Sequence, residues 1–169
     1  AAQDAQQAEE QAKNLRWAAD GHKLEKDAIS FLGQVLPWRQ FGLETCADAG
    51  ITSAHALMHL LADMDSGEGE TNASAPRALL RRLIGLYEQY AEASRVRQEA
   101  GTDVNRSGQP QVLWGPWMWR AQYYLSRMAK QTRNDAIKDL RDRLGADDFR
   151  SMEWIGLAAR WAELMVRDR

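Results

Sequence analysis

The chain has 169 residues, 44% of them hydrophobic and 27% charged, an ordinary globular composition that is long enough to bury one substantial core. Its one cysteine, Cys46, excludes an internal disulfide and points to the cytoplasm, and no apolar run approaches the roughly 18–20 residues needed to span a bilayer. The net charge of −2 hides an asymmetry: residues 1–76 hold 12 acids and 5 bases, residues 77–169 hold 12 acids and 17 bases, and from Val104 to Asn134 there are 5 bases and no acid. Such separation suggests a partner for one half, or acidic surface packed on basic surface within an assembly; the plain alternative is that both halves are solvated faces.

In chain order, residues 1–20 read as an Ala-rich helix whose Ala5, Ala8, Ala12, Leu15 and Ala19 form a narrow seam suited to close approach of another helix. Asp20-Gly21 marks its end. Leu24, Ala28, Phe31, Leu32 and Val35 predict a second helix, halted near Pro37. Trp38 to Ala49 follows as a short helix ending at Gly50. Thr52 is placed to cap a helix that buries Leu57, Met58, Leu60, Leu61 and Met64.

Asp65–Ala75 is a polar, glycine-bearing loop, and Pro76 suits the first turn of a helix running to about Gln98. That helix carries the wide stripe Leu79, Leu80, Leu83, Ile84, Leu86, Tyr87, Tyr90 and Ala91. Ala100–Gly115 is a second loop, ending in Val112, Leu113 and Trp114, which are expected to tuck back onto the core. Pro116–Leu144 then reads as one long basic helix, although Ile137, Leu140 and Leu144 fall around its basic face. The stretch therefore either breaks near Asn134-Asp135 or meets a different neighbour with its other side. Asp147 or Asp148 is placed to cap a last helix from about Phe149 to Arg167. No strand-like alternation stands out. The expected fold is all-α: a single-domain helical bundle over residues 1–169, with six or seven helices and one long basic helix.

Motifs for catalysis are missing. His55 and His59, with Asp63 four residues further on, have a spacing that can bring two imidazoles to a metal, but the zinc-protease pattern needs Glu where Ala56 stands. A surface or partly buried pair is the simpler reading. Cys46 has no catalytic signature around it. No phosphate-cradling loop, dinucleotide fingerprint or nucleophile elbow occurs. The sequence predicts no enzyme, no metal and no cofactor.

The strongest signal is the basic helix itself. Trp117, Met118, Ala121, Tyr124, Leu125, Met128 and Ala129 share one face, and Arg120, Tyr123, Arg127, Lys130 and Arg133 share the other, with Trp119 among them. At about 1.5 Å per residue the four cations span about 20 Å, matching successive phosphates of a nucleic-acid backbone, with Trp119 and Tyr123 available to stack on bases. Arg77, Arg81 and Arg82 on the preceding helix, with Arg95 and Arg97 near its end, would extend the track. Arginine rather than lysine dominates, which favours bidentate phosphate or carboxylate contacts.

Leu125-Ser-Arg-Met-Ala-Lys in this helix, followed by Phe149-Arg150 and Ala159-Arg160-Trp161-Ala162-Glu163 in the last one, gives the C-terminal part a character that resembles the small all-helical subunits of multi-subunit CRISPR effector complexes. The resemblance implies a non-enzymatic subunit in antiviral defence that supports guide or target strands, RNA or DNA, through backbone contacts. Its partners would be other protein subunits, copies of itself included. The alternatives are a helical adaptor that binds only protein and a metal protein ligated by His55 and His59.

Overall fold

The computed structural model describes residues 2–14, 17–19, 22–24, 28–42, 50–66, 77–99 and 114–167. Among these residues are seven helices and two small antiparallel hairpins. The elements are α1 (Ala2–Asn14), β1 (Trp17–Ala19), β2 (His22–Leu24), β3 (Ala28–Phe31), β4 (Gln34–Pro37), α2 (Trp38–Phe41), α3 (Ala54–Ser66), α4 (Arg77–Glu99), α5 (Pro116–Thr132), α6 (Asp135–Ala146) and α7 (Met152–Arg167).

The expected helical bundle is present, and α7 is its centre. Met152, Trp154, Ile155, Leu157, Ala158, Ala159 and Ala162 are buried, and α7 packs against both α3 and α4. These neighbours contribute Leu57 and Leu61 from α3 and Leu79, Leu80, Leu83 and Leu86 from α4. Gly156 sets the closeness of α4 and α7: a Cβ there would lie 2.4 Å from the Tyr87 ring, so any side chain would push the helices apart. The indole N–H of Trp154 donates to the Ile51 carbonyl at 3.0 Å and ties the segment before α3 to the same core.

The N-terminal part departs most from expectation. The first helix stops at Asn14, and residues 17–19 pair with 22–24 as strands. The Asp20-Gly21 stop lies outside the described residues. The helix expected from Leu24 to Val35 is instead the β3–β4 hairpin, in register Ala28↔Pro37, Ile29↔Leu36, Ser30↔Val35 and Phe31↔Gln34. Its two-residue turn puts Leu32 at φ 47° and Gly33 at φ 75°. Positive φ at both central residues matches the right-handed twist of the flanking strands, and glycine adopts it without steric cost. Helix α1 lies against this hairpin.

Other boundaries shift for local reasons. Only Trp38–Phe41 of the expected 38–49 helix is helical among the described residues, closed by a Gly42 N–H bond to the Trp38 carbonyl at 2.9 Å; residues 43–49, Cys46 among them, lie outside them. Buried Ser53, not Thr52, caps α3, its hydroxyl accepting from the Ala56 N–H at 3.2 Å. Asp65 and Ser66 belong to α3 rather than to the following loop, whose residues 67–75 lie outside the described ones, as do Pro76 and residues 100–113. Trp114, expected to fold onto the core, is 72% exposed.

The long basic helix is two helices. Arg133 takes a left-handed conformation, and the Asn134 side chain accepts hydrogen bonds from the Ala136 and Ile137 N–H groups, starting α6 afresh. Reversal of the chain places Ile137, Leu140 and Leu144 in the core although they lie off the apolar face of α5. Gln122 donates to the Arg141 carbonyl at 3.2 Å, and Arg141 donates to the Ser126 hydroxyl at 3.1 Å, as expected for two antiparallel helices. After α6, Asp148 and Phe149 take positive φ, and the Asp147 carboxylate accepts from the Ser151 N–H at 2.9 Å; the last helix starts at Met152 rather than Phe149.

Candidate nucleic-acid interface

Helix α5 begins with Gly115 in extended conformation and Pro116 in the first turn, where the missing N–H of proline costs nothing. Its expected apolar face is the buried one: Trp117, Met118, Ala121 and Leu125 are buried, and Met128 and Ala129 pack on the core edge. The opposite face lies outward. Trp119 is 61% exposed, Tyr123 53% exposed, Arg127, Lys130 and Arg133 are exposed, and Arg120 is half-buried.

The contacts of these groups are polar or aromatic, not ionic. Arg120 donates to the Gln89 side-chain carbonyl of α4 and lies 5.3 Å from the Trp119 ring. Arg127 reaches the Tyr123 hydroxyl at 3.4 Å, a long hydrogen bond. Among the described residues, none of Arg120, Arg127, Lys130 or Arg133 meets a carboxylate at ion-pair distance. The cause is legible in the chain: α5 contains no Asp or Glu, so no cation on it has an acidic neighbour three or four residues away. Other helices differ. Arg95 pairs with Glu92 at 2.7 Å, Arg143 with Asp139 at 2.6 Å and Arg141 with Asp142 at 2.5 Å.

The proposed extension onto α4 is uneven. Arg82 lies 4.7 Å from the Tyr124 ring, and Tyr124 contacts Tyr123 edge to face at 5.7 Å, so Arg82 adjoins the α5 face. Arg81 turns toward α7 and approaches Glu163 at 3.9 Å. Arg77 is exposed at the start of α4, while Arg95 is paired and Arg97 is engaged within the chain. Beside Arg120 an open cleft of about 600 Å³ between α4 and α5 is bordered by Glu88, Glu92 and Trp117. Its two carboxylates set an acidic edge to the basic face.

Two further polar clusters lie away from α5, the first of them not apparent from the sequence. Gln40 donates to the Glu153 carboxylate, Gln34 donates to the Glu153 carbonyl, and Arg160 donates to the Gln34 side-chain carbonyl at 3.0 Å while lying 5.6 Å from the Tyr87 ring. Burial, with Asp147 nearby, pushes the Glu153 carboxyl above its ordinary range against the Gln40 hydrogen bond, and burial likewise pushes Tyr87 and Tyr90 up. This network fastens the β4–α2 segment to α7. Buried Gln34 and Gln40 carry no sequence signal, because a glutamine in an isolated sequence reads as surface. The second cluster is His55 and His59, partly buried on α3, with ring centroids 4.6 Å apart; burial and then His59 hold the His55 imidazole below its usual range.

Among the described residues no group of three His, Cys, Asp or Glu side chains converges as a metal-binding cluster, and no helix is long and apolar enough to cross a membrane. Compared with known proteins, the chain matches no protein family, no curated protein and no solved structure with significance.

Proposed function

We propose that this chain is a non-enzymatic helical subunit of a larger nucleoprotein assembly, and that it supports a nucleic-acid backbone on the outer face of α5. The observation that carries the reading is four cations across about 20 Å of α5 and its C-terminal cap, with no carboxylate at ion-pair distance among the described residues. Elsewhere in the fold Arg95, Arg141 and Arg143 are each paired with an acid. Arg127, Lys130 and Arg133 are the phosphate contacts, Arg120 and Arg82 flank them, and Arg77 is a peripheral contributor. Arg81, which approaches Glu163, ranks below these. Trp119 and Tyr123 lie exposed beside the cations, and exposed aromatic rings of this kind suit stacking on the bases of a single strand. A small subunit of a CRISPR-type effector, seated among protein neighbours that meet its acidic N-terminal half, is the specific assembly this reading names.

Fluorescence anisotropy of a labelled single-stranded oligonucleotide at several salt concentrations tests the reading. Each phosphate contact contributes roughly 0.7 to the log–log salt slope on a single strand. Arg127→Ala is expected to lower the slope by about that amount and weaken binding several-fold, whereas Arg95→Ala, which removes an already paired cation, is expected to leave it unchanged. An unchanged slope in Arg127→Ala removes that residue from the interface. The rival is an adaptor that binds only protein, favoured by exposed Trp38, Leu164 and Met165. It would give no retention of oligonucleotide at any salt concentration.

A further inference from the structure

We propose that His55 and His59 form a two-imidazole site for a divalent late first-row transition-metal ion. The pair occupies successive turns of α3, and the two Nε2 atoms lie 3.2 Å apart. Two imidazoles binding one zinc ion at about 2.0–2.1 Å with a near-tetrahedral angle hold their nitrogens about 3.3 Å apart, and a right-angled pair on copper holds them about 2.9 Å apart. The observed separation falls between these values and is compatible with both nitrogens meeting one ion. The rings are nearly perpendicular, at 84°, and the Trp161 ring packs 5.5 Å from His55, limiting where that imidazole can turn.

The same distance also suits a hydrogen bond in which one Nε2–H donates to the other ring. Metal binding replaces that bond. The shared proton moves to Nδ1 of its own ring, both Nε2 lone pairs face the ion, and no proton is lost overall. Both rings are only partly buried, leaving water to fill the remaining coordination positions. No third protein ligand joins them among the described residues, and His55 Nδ1 has no hydrogen-bond partner to orient the ring. Affinity is therefore modest, and selectivity follows the preference of imidazole for copper, nickel and zinc over magnesium and calcium. The site stands on α3 and α7 and is independent of the α5 reading.

Titrating the full chain with Cu²⁺, Zn²⁺ and Mg²⁺, followed by tryptophan fluorescence and histidine-ring NMR, tests the proposal. Cu²⁺ is expected to quench saturably at one ion per chain because Trp161 lies beside the site. Zn²⁺ should compete, and Mg²⁺ should have no effect. His55→Gln and His59→Gln are each expected to weaken binding at least tenfold with helical content unchanged. If either variant fails to fold, selective Zn²⁺-induced shifts of the His55 and His59 ring resonances in the wild-type chain support the site, and unmoved resonances overturn it. Lack of saturable Cu²⁺ or Zn²⁺ binding, or binding that survives both substitutions unchanged, overturns it equally.

Discussion

Glu153 sits where α7 meets the β4–α2 segment, its carboxylate accepting from Gln40 and its carbonyl from Gln34. Burial raises its folded pKa above the unfolded value, so between those two values the folded chain holds more protons than the unfolded one. Its contribution to stability is greatest below about pH 4.3 and falls as pH rises through the folded pKa. Glutamine can still accept from Gln40 and carries no charge to desolvate. Glu153→Gln is therefore expected to melt at or above the wild-type temperature at pH 7, with the difference vanishing below about pH 4. Thermal melts of both proteins across that range check it; a variant uniformly less stable at every pH would contradict the desolvation argument. His55 acts with the opposite sign. Its lowered folded pKa withdraws stability as pH falls from about 6.5, so the wild-type-minus-variant difference is needed to isolate Glu153.

At the level of elements, the junction between α5 and α6 decides which side chains face outward. Left-handed Arg133 closes α5, and Asn134 opens α6 by accepting from two N–H groups, at 2.9 Å to Ala136 and 3.4 Å to Ile137. Asn134→Ala is expected to lower unfolding free energy by about 1 kcal/mol, measurable by urea denaturation, as for loss of an N-cap. A change near zero would mean that core packing of Ile137 and Leu140 alone sets the turn. The two faces of α5 were legible in the sequence because a 3.6-residue period separates Trp117, Met118, Ala121 and Leu125 from Arg127 and Lys130. The lack of carboxylates on α5 was equally legible. The β3–β4 hairpin was not. Ala28, Phe31, Leu32 and Val35 sit at helical spacing and show no strand alternation, and Leu32-Gly33 lacks the Asn or Asp that usually announces such a turn. The helix break was half-legible: the misplaced apolar positions of α6 signalled it, but the capping by Asn134 depends on geometry. Contacts between distant segments, such as Arg82 with Tyr124 or Gln34 with Arg160, have no local signature at all.

Across the whole molecule, charge is divided as the fold is. Residues 1–76 carry 12 acids against 5 bases, whereas α5 presents basic residues without any acid. Under the proposed function, the outward face of α5 is the part of this divided charge that would attract an anionic strand. Salt screens exposed charges over about 8–10 Å, so the four cations of α5 act together only toward a ligand that runs along them. The salt slope of oligonucleotide binding, compared between the wild-type chain and the Arg127→Ala/Lys130→Ala/Arg133→Ala variant, measures this directly. A decrease in slope of about 2 is expected if three phosphate contacts are lost from a single strand. Equal slopes in the two proteins, with the variant folded and binding as tightly as wild type, would contradict the assignment of α5 as the nucleic-acid face.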